Sequence, residues 1–255
     1  MKIAICIPGL TKSHECCLES IKRYFKNHEI DIFCQTYTFK NINTIIRDTW
    51  SKESTKEYYE STKLTAEETL KLFKPKDTLI IDYDFVTQLF NIMFIEIMNI
   101  KGITNYFIDN SKSMAMTGNL SMLSMFFSMM TVNDLRKEYQ KNNNIEYDLI
   151  VRMRYDSSIF KMNNIETYDL TKLNIPSGVD NEGINDQFAF GPADLMDIYM
   201  TPFLNIVDLA KQCLKHKAEP LLLTHLSNHK ILDQIDRPEI VVAISSFSRP
   251  KQGQL

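Results

Sequence analysis

One stretch of the sequence, residues 147–160, constrains the fold more than any other. It is an apolar run that ends in the charged residues Arg152, Arg154 and Asp156. Residues 149–151 are Leu, Ile and Val in succession, which is typical of a strand covered on both faces. Open α/β sheets bind ligands at the carboxyl ends of their strands, so a site is expected at the charged end of this one. The same charges also fit a simple ion pair at a strand end, and both interpretations stay open.

Length and composition fit one large α/β domain or two small ones, and we expect a single domain spanning residues 1–255; they also argue against several classes of protein. The 255 residues are 44% hydrophobic, which is ordinary for a globular protein. The net charge is −3, and no basic face that could bind nucleic acid is evident. The five cysteines contain no CxxC pair, which indicates reduced thiols. The most apolar region, 114–132, is interrupted by polar residues and is typical of a core helix. Because no signal peptide is evident either, we expect a soluble, cytoplasmic protein with no transmembrane segment and no nucleic-acid partner.

Strand and helix patterns alternate along the chain. Strands are predicted at 2–7, 30–37, 78–84, 147–156 and just after Gln187, and a last one at 240–244 is predicted to close the sheet. Helices are predicted at 14–25, 65–74, 85–100, from about 120 to 140, at 194–214 with a break at Pro202, and at 219–229. Residues 38–64 are predicted to be a polar excursion and 245–255 a loose tail. This alternation predicts a mostly parallel central sheet with helices on both faces.

The turns after the first two predicted strands bring polar groups to one edge of the sheet. Gly9 and Lys12 lie in a turn before a helix, where backbone N–H groups can bind an anion. Their spacing fits neither a Walker A loop nor GxGxxG, so on these residues alone a simple surface turn is favoured over an anion site. Thr36 and Tyr37 end the second strand, and we expect them to converge with Gly9 and Arg154.

Three further groups of residues are candidates for metal binding or catalysis. Asp82 and Asp84 form a DxD pair that could bind one divalent cation, although a solvated strand end is favoured over a metal site. His225 and His229 share a helix face, but without a nearby acidic ligand a structural role is favoured over zinc. Asp186, in an Asn-Asp-Gln triplet before a short strand, is a candidate general base or hydroxyl anchor.

Four windows together carry a family resemblance. They are the strand and Gly turn at Ile3–Ser13, the segment Asp31-Ile-Phe-Cys-Gln-Thr-Tyr37, the strand Tyr147–Asp156, and Asp186–Gly191 followed by Glu219 and His225-Leu226. These windows resemble a broad family of bacterial and large-virus glycosyltransferases with a GT-A-like, Rossmann-related nucleotide-sugar domain. Within these windows two positions depart from the family pattern: Lys12 stands where arginine is more usual, and Tyr37 where the family has tryptophan.

The resemblance implies transfer of a sugar from a nucleotide-sugar donor to a glycan or glycoprotein acceptor. It implies a donor site made of Gly9, Lys12, Thr36, Tyr37, Arg154 and Asp156, with Asp186 as the catalytic residue. Asp156 would also bind Mn²⁺ or Mg²⁺, although Ser158 stands where the family has a second acidic residue. A non-catalytic nucleotide- or glycan-binding module is the alternative. A phosphate-transferring enzyme is disfavoured by the spacing around Gly9.

Overall fold

The structure, a computed structural model, describes residues 1–38, 66–99, 114–213 and 217–244. The strands are β1 (Lys2–Pro8), β2 (Glu29–Thr38), β3 (Asp77–Asp82), β4 (Leu149–Met153), β5 (Ser157–Lys161), β6 (Leu173–Asn174), β7 (Phe188–Gly191), β8 (Ile235–Asp236) and β9 (Val241–Ile244). The α-helices are α1 (His14–Tyr24), α2 (Ala66–Phe73), α3 (Tyr83–Asn99), α4 (Met114–Asn143), α5 (Ala193–Tyr199), α6 (Ile206–Gln212) and α7 (Ala218–Asn228). The predicted break at Pro202 is confirmed, because a short 3-10 helix, Pro202–Asn205, separates α5 from α6.

Seven strands form one mixed sheet in the order β3-β2-β1-β4-β7-β6-β8. The pairs β1–β2, β2–β3 and β1–β4 are parallel, whereas β7 is antiparallel to both β4 and β6. The predicted α/β class and mostly parallel sheet are therefore confirmed. The order β3-β2-β1-β4 is Rossmann-like: the chain builds outward from β1 on one side and then returns to place β4 on the other. Such a reversal leaves a crevice at the carboxyl ends of the two strands beside it, here β1 and β4.

Both faces of the sheet are covered, and β1 lies at the centre. Its residues 3–7 are Ile-Ala-Ile-Cys-Ile, all fully buried, with the three isoleucines facing α1 and α2. Ala4 and Cys6 point to the opposite face, where they join the core formed with α3 and α4. Small side chains on this face allow the long helix α4 to pack closely over β1. The prediction of helices on both faces is confirmed, and the single domain stays a prediction.

A buried polar group ties α4 to α5. The side chain of Arg136 on α4 donates hydrogen bonds to Asn133 and Gln140 of the same helix and to Asp197 of α5. Arg136 is almost fully buried, so removing Asp197 would leave an unpaired charge inside the protein. Because α5 follows β7 directly, this contact also anchors the chain where it leaves β7.

Several element boundaries differ from those predicted. The predicted strand 147–156 ends at Met153, because the Ser157 N–H donates to the Arg154 carbonyl oxygen (3.1 Å) and closes a turn. The chain then continues as β5, which pairs with β9 in a separate two-stranded sheet, so the prediction that residues 240–244 close the main sheet is wrong. Helix α4 begins before Gly118, not after it.

The predictions for residues 39–64, Thr65 and residues 245–255 fall outside the described residues. Among the helices of the described ranges, none combines the length and apolar character needed to span a membrane. The apolar segment 114–132 belongs to α4, and its described side chains join the core of the sheet, as predicted.

Candidate functional site

The carboxyl ends of β1 and β4 meet at the reversal in strand order, and most of the predicted site residues lie there. Gly9 and Lys12 follow β1, and Arg154 and Asp156 follow β4. Lys12 and Asp156 join the two strand ends, with the lysine Nζ 3.9 Å from a carboxylate oxygen of the aspartate. The structure therefore brings together these parts of the predicted cluster at the position where Rossmann-like sheets bind ligands.

The turn after β1 is held against β2 by Gly9. Its φ of 106° lies in a region that side chains disfavour, which explains why glycine stands at this position. The Gly9 N–H donates to both the carbonyl oxygen (3.1 Å) and the side-chain Oε1 (3.2 Å) of Gln35. This N–H is therefore engaged within the protein, and the role of Gly9 is to shape the turn that carries Lys12.

Arg154 and Asp156 form a two-point ion pair in the turn after β4. The Arg154 Nε–H donates to one carboxylate oxygen (2.7 Å) and its Nη2–H to the other (3.0 Å). Burial by itself would raise the pKa of Asp156, but the charges of Arg154 and Lys12 outweigh burial and hold that pKa below its usual value. The carboxyl side chain is only 3% exposed, whereas Lys12 and Arg154 are 18% and 27% exposed. The cations therefore form the accessible side of this cluster.

Asp186 approaches the same cluster from the segment before β7. Its backbone carbonyl accepts a hydrogen bond from Nη1 of the buried Arg152 on β4. Its negative charge also contributes to raising the pKa of Arg154, after Asp156 and against the effect of burial. Within the described residues no hydrogen bond or ion pair engages the Asp186 carboxylate. It is thus a buried acid with a free carboxylate beside two guanidinium groups.

The segment before Asp186 is fixed by its own hydrogen bonds. Asn185 donates from Nδ2 to the Gly178 carbonyl (3.0 Å) and accepts from the Gln187 N–H (2.8 Å). Asp180 accepts from the Asn185 N–H (3.0 Å) and pairs with Arg237 at 2.6 Å. These hydrogen bonds give Asn185, the first residue of the Asn-Asp-Gln triplet, a structural role. They also hold the backbone on both sides of Asp186 in place.

Glu219 at the start of α7 lies close to this segment. The Ile184 N–H donates to its carbonyl oxygen (3.2 Å), and a side chain at Gly183 would collide with its backbone. Burial is the main cause that raises the pKa of the Glu219 carboxyl, and the charge of Asp186 adds to it. A hydrogen bond from Asn181 acts in the opposite direction. The segment before Asp186 therefore lies between two acidic residues, Asp186 and Glu219, whose surroundings differ.

Thr36 and Tyr37 do not join the cluster. The Tyr37 side chain is buried under α4, where its hydroxyl contacts the Ser124 carbonyl (3.1 Å) and the Ser128 hydroxyl (2.8 Å). Thr36 is fully buried, and its hydroxyl has no hydrogen-bond partner among the described side chains and backbone groups. Neither residue offers an exposed surface to a nucleotide, because strand alternation places Tyr37 in the core beneath α4.

The residues present do not fit a bound divalent cation. Both oxygens of Asp156 accept from Arg154, and across the described ranges no group of three His, Cys, Asp or Glu residues is placed to hold a metal ion. A metal at Asp156 would first have to displace the guanidinium. The DxD pair has another role, because Asp82 accepts from the Asp84 N–H (2.9 Å) at the start of α3. His225 contacts the Ile198 carbonyl (2.9 Å), in agreement with the structural role favoured for it.

Comparison with known proteins assigns no family to this arrangement. No family model matches the chain. No curated protein matches it either. The functional argument therefore depends on the geometry at the ends of β1 and β4.

Arg152 is the residue that sequence reasoning left without a role. It lies on β4 between Cys6 of β1 and Ala189 of β7, and its side chain is fully buried. The sequence does show that Arg152 is unusual, because it is a charged residue inside a run that is otherwise typical of a strand covered on both faces. A charge at such a position needs a partner, and the sequence does not say which one.

Proposed function

We propose that this protein is a glycosyltransferase that moves a sugar from a nucleotide-sugar donor to a glycan or glycoprotein acceptor, on a GT-A-like fold. The observation that carries the proposal is the contact between Lys12 and Asp156, which joins the ends of β1 and β4 at the reversal in strand order. The sequence resemblance supports the same conclusion.

Departure of a nucleoside diphosphate requires positive charge beside the leaving phosphates. Lys12 and Arg154 supply it in this proposal, because they are the more exposed members of the cluster and their side chains can turn toward a ligand. A guanidinium and an ammonium can bind phosphate oxygens without a metal ion. Divalent metal is therefore not needed for this part of the reaction.

Asp186 serves the acceptor in this proposal. A carboxylate free of hydrogen bonds can take a proton from an attacking hydroxyl if the reaction inverts the sugar configuration. If configuration is retained, the same oxygens can hold the hydroxyl in place. The guanidinium groups of Arg152 and Arg154 place positive charge beside Asp186 for either role.

A non-catalytic nucleotide- or glycan-binding module is the second candidate. The observation that favours it is the closed ion pair between Arg154 and Asp156, which occupies both oxygens of the predicted metal ligand. Donor hydrolysis measured with and without manganese separates the candidates. The transferase releases nucleoside diphosphate from its own donor, and the binding module releases none under either condition.

A thermal-shift screen of nucleotide sugars tests donor binding. A donor at 100 times its dissociation constant should stabilise the protein by about 2.7 kcal/mol. Lys12→Met should abolish most of this stabilisation, because it removes the positive charge carried by the turn after β1. Lys211→Met is the matched control, since Lys211 on α6 pairs with Asp208 at the surface, and its response should equal that of the wild type. A screen in which no nucleotide sugar stabilises the wild type would contradict the proposal.

A further inference from the structure

Arg152 is a fully buried arginine whose guanidinium is only partly engaged. Its Nη1 donates to the carbonyl of Asp186, but its Nε and Nη2 atoms have no hydrogen-bond partner in the part of the chain that the structure describes. Burial is the main cause that lowers the pKa of Arg152, yet an arginine side chain stays protonated in proteins. Buried polar atoms of folded proteins are nearly always hydrogen-bonded, so these two donors require an explanation.

The two unengaged donors form one edge of the guanidinium. Arg154 uses the same two atoms, Nε and Nη2, to bind both oxygens of Asp156. This edge presents two parallel N–H groups whose spacing matches the oxygens of a carboxylate or a phosphate. Arg152 therefore has the same binding edge as Arg154, but no described carboxylate is bound to it.

Gln187 adds a second unpartnered group on the same face of the sheet. Its Oε1 is buried without a hydrogen-bond partner among the described residues. Gln187 stands directly before β7, two residues from Ala189, which pairs with Arg152 across β4 and β7, and the alternation of the strand continued to Gln187 would put it on the same face. An amide oxygen accepts hydrogen bonds, so it suits a hydroxyl of a ligand whose acid group is bound by the arginine.

We propose that the Nε–H and Nη2–H edge of Arg152 is an oxyanion-binding site. The chemical class of the ligand is a group with two terminal oxygens, either a phosphate or a carboxylate. If the proposed function holds, on which this identification of the ligand rests, the group is a donor phosphate or the carboxylate of an acidic sugar. The site is distinct from the pair formed by Arg154 and Asp156, whose binding edge is closed.

Entry of a ligand requires a local rearrangement, because Arg152 has no exposed surface. Asp186 is the neighbouring residue whose side chain can move, although hydrogen bonds on either side hold its backbone. Its carbonyl covers Nη1 of Arg152, it retains 7% exposure, and its carboxylate is not held by any described residue. Rotation of the Asp186 side chain would open space beside the arginine without breaking a described contact of the carboxylate, while the Asp186 carbonyl stays on Nη1.

Titration calorimetry with pyrophosphate and, separately, glucuronate tests the site. We expect the wild type to bind at least one of them, and Arg152→Met to weaken that binding at least tenfold. Arg23→Met is the control, because Arg23 lies on α1 against the Tyr24 ring, and its affinity should be unchanged. Loss of pyrophosphate binding identifies a phosphate ligand, and loss of glucuronate binding alone identifies a carboxylate. Equal affinities in wild type and Arg152→Met, or no binding to the wild type, would overturn the proposal.

A second measurement keeps the test independent of the variant's folding. We expect ligand-free Arg152→Met to be at least as stable to heat as the wild type, because it removes a buried charge that has a single hydrogen bond within the described residues. If it does not fold, a crystal of the wild type grown with pyrophosphate decides the question. Oxygens at about 2.7–2.9 Å from Nε and Nη2 support the site, and an anion bound only elsewhere overturns it.

The outcome separates this site from the proposed function. Binding of an oxyanion that depends on Arg152, in a protein that transfers no sugar, would leave the site standing and remove the transferase. If the protein transfers sugar but its oxyanion binding does not depend on Arg152, the transferase stands and the proposed site is removed.

Discussion

Asp186→Asn should leave donor binding intact and lower the rate of sugar transfer by about 10²–10⁴-fold. The substitution keeps the size of the side chain and the carbonyl that accepts from Arg152, but removes the charge that would accept a proton or anchor a hydroxyl. Thermal shift with the donor and a transfer assay, measured on the same preparation, separate the two effects. If Asp186 only anchors a hydroxyl, the loss should fall toward the low end of that range.

Asp194→Asn is the matched control, since Asp194 is an exposed acid on α5. Both binding and transfer should stay at the wild-type level in this variant. Loss of nucleotide binding in a folded Asp186→Asn protein would instead make Asp186 part of the donor site.

Asp156→Ala should destabilise the protein by up to about 3 kcal/mol. It leaves Arg154 without the buried carboxylate that accepts from its Nε–H and Nη2–H groups. The magnitude is at the low end for a buried pair because the Arg154 side chain is 27% exposed. Denaturant unfolding of the wild type, both single variants and the double variant Arg154→Met/Asp156→Ala measures the coupling. The double variant should be more stable than Asp156→Ala alone.

The effect of Asp156→Ala should depend on pH. Since the pKa of Asp156 is lowered in the folded protein, its stabilising contribution is fully present above an unfolded value of about 3.9 and is lost as the pH falls through the folded value. The stability difference between wild type and variant should therefore shrink in acid. A metal-binding role predicts another pattern, with an unchanged unfolding midpoint and transfer that requires added manganese and stops with chelator.

The sheet could be predicted from the sequence because its central strands carry continuous apolar runs. Residues 3–7 and 149–151 are buried on both faces, and such burial requires apolar side chains at every position rather than at alternate ones. The meeting of the turn at Gly9 with the end of β4 at Arg154 followed from the same reasoning, whereas Lys12 and Asp156 entered the predicted donor site through the family resemblance. Neighbouring parallel strands end at one edge, so the residues just after β1 and β4 had to meet there.

The contacts that individual side chains make could not be predicted in the same way. Tyr37 stands at the end of β2 like a site residue, but the helix packed above it determines that its hydroxyl bonds to Ser124 and Ser128. The antiparallel pairing of β7 with β4 depends on contacts between distant parts of the chain. Whether Arg152 finds partners likewise depends on the fold around it, which local patterns do not encode.

A crystal structure of the protein with the nucleoside diphosphate of its donor tests the central claim most directly. Our account predicts a diphosphate at the carboxyl ends of β1 and β4, with phosphate oxygens within reach of Lys12 and of the guanidinium of Arg152 or Arg154. It also predicts that the Asp186 carboxylate faces the space beside the phosphates. A nucleotide bound away from the turn after β1, with the Lys12–Asp156 and Arg154–Asp156 contacts unchanged, would contradict it.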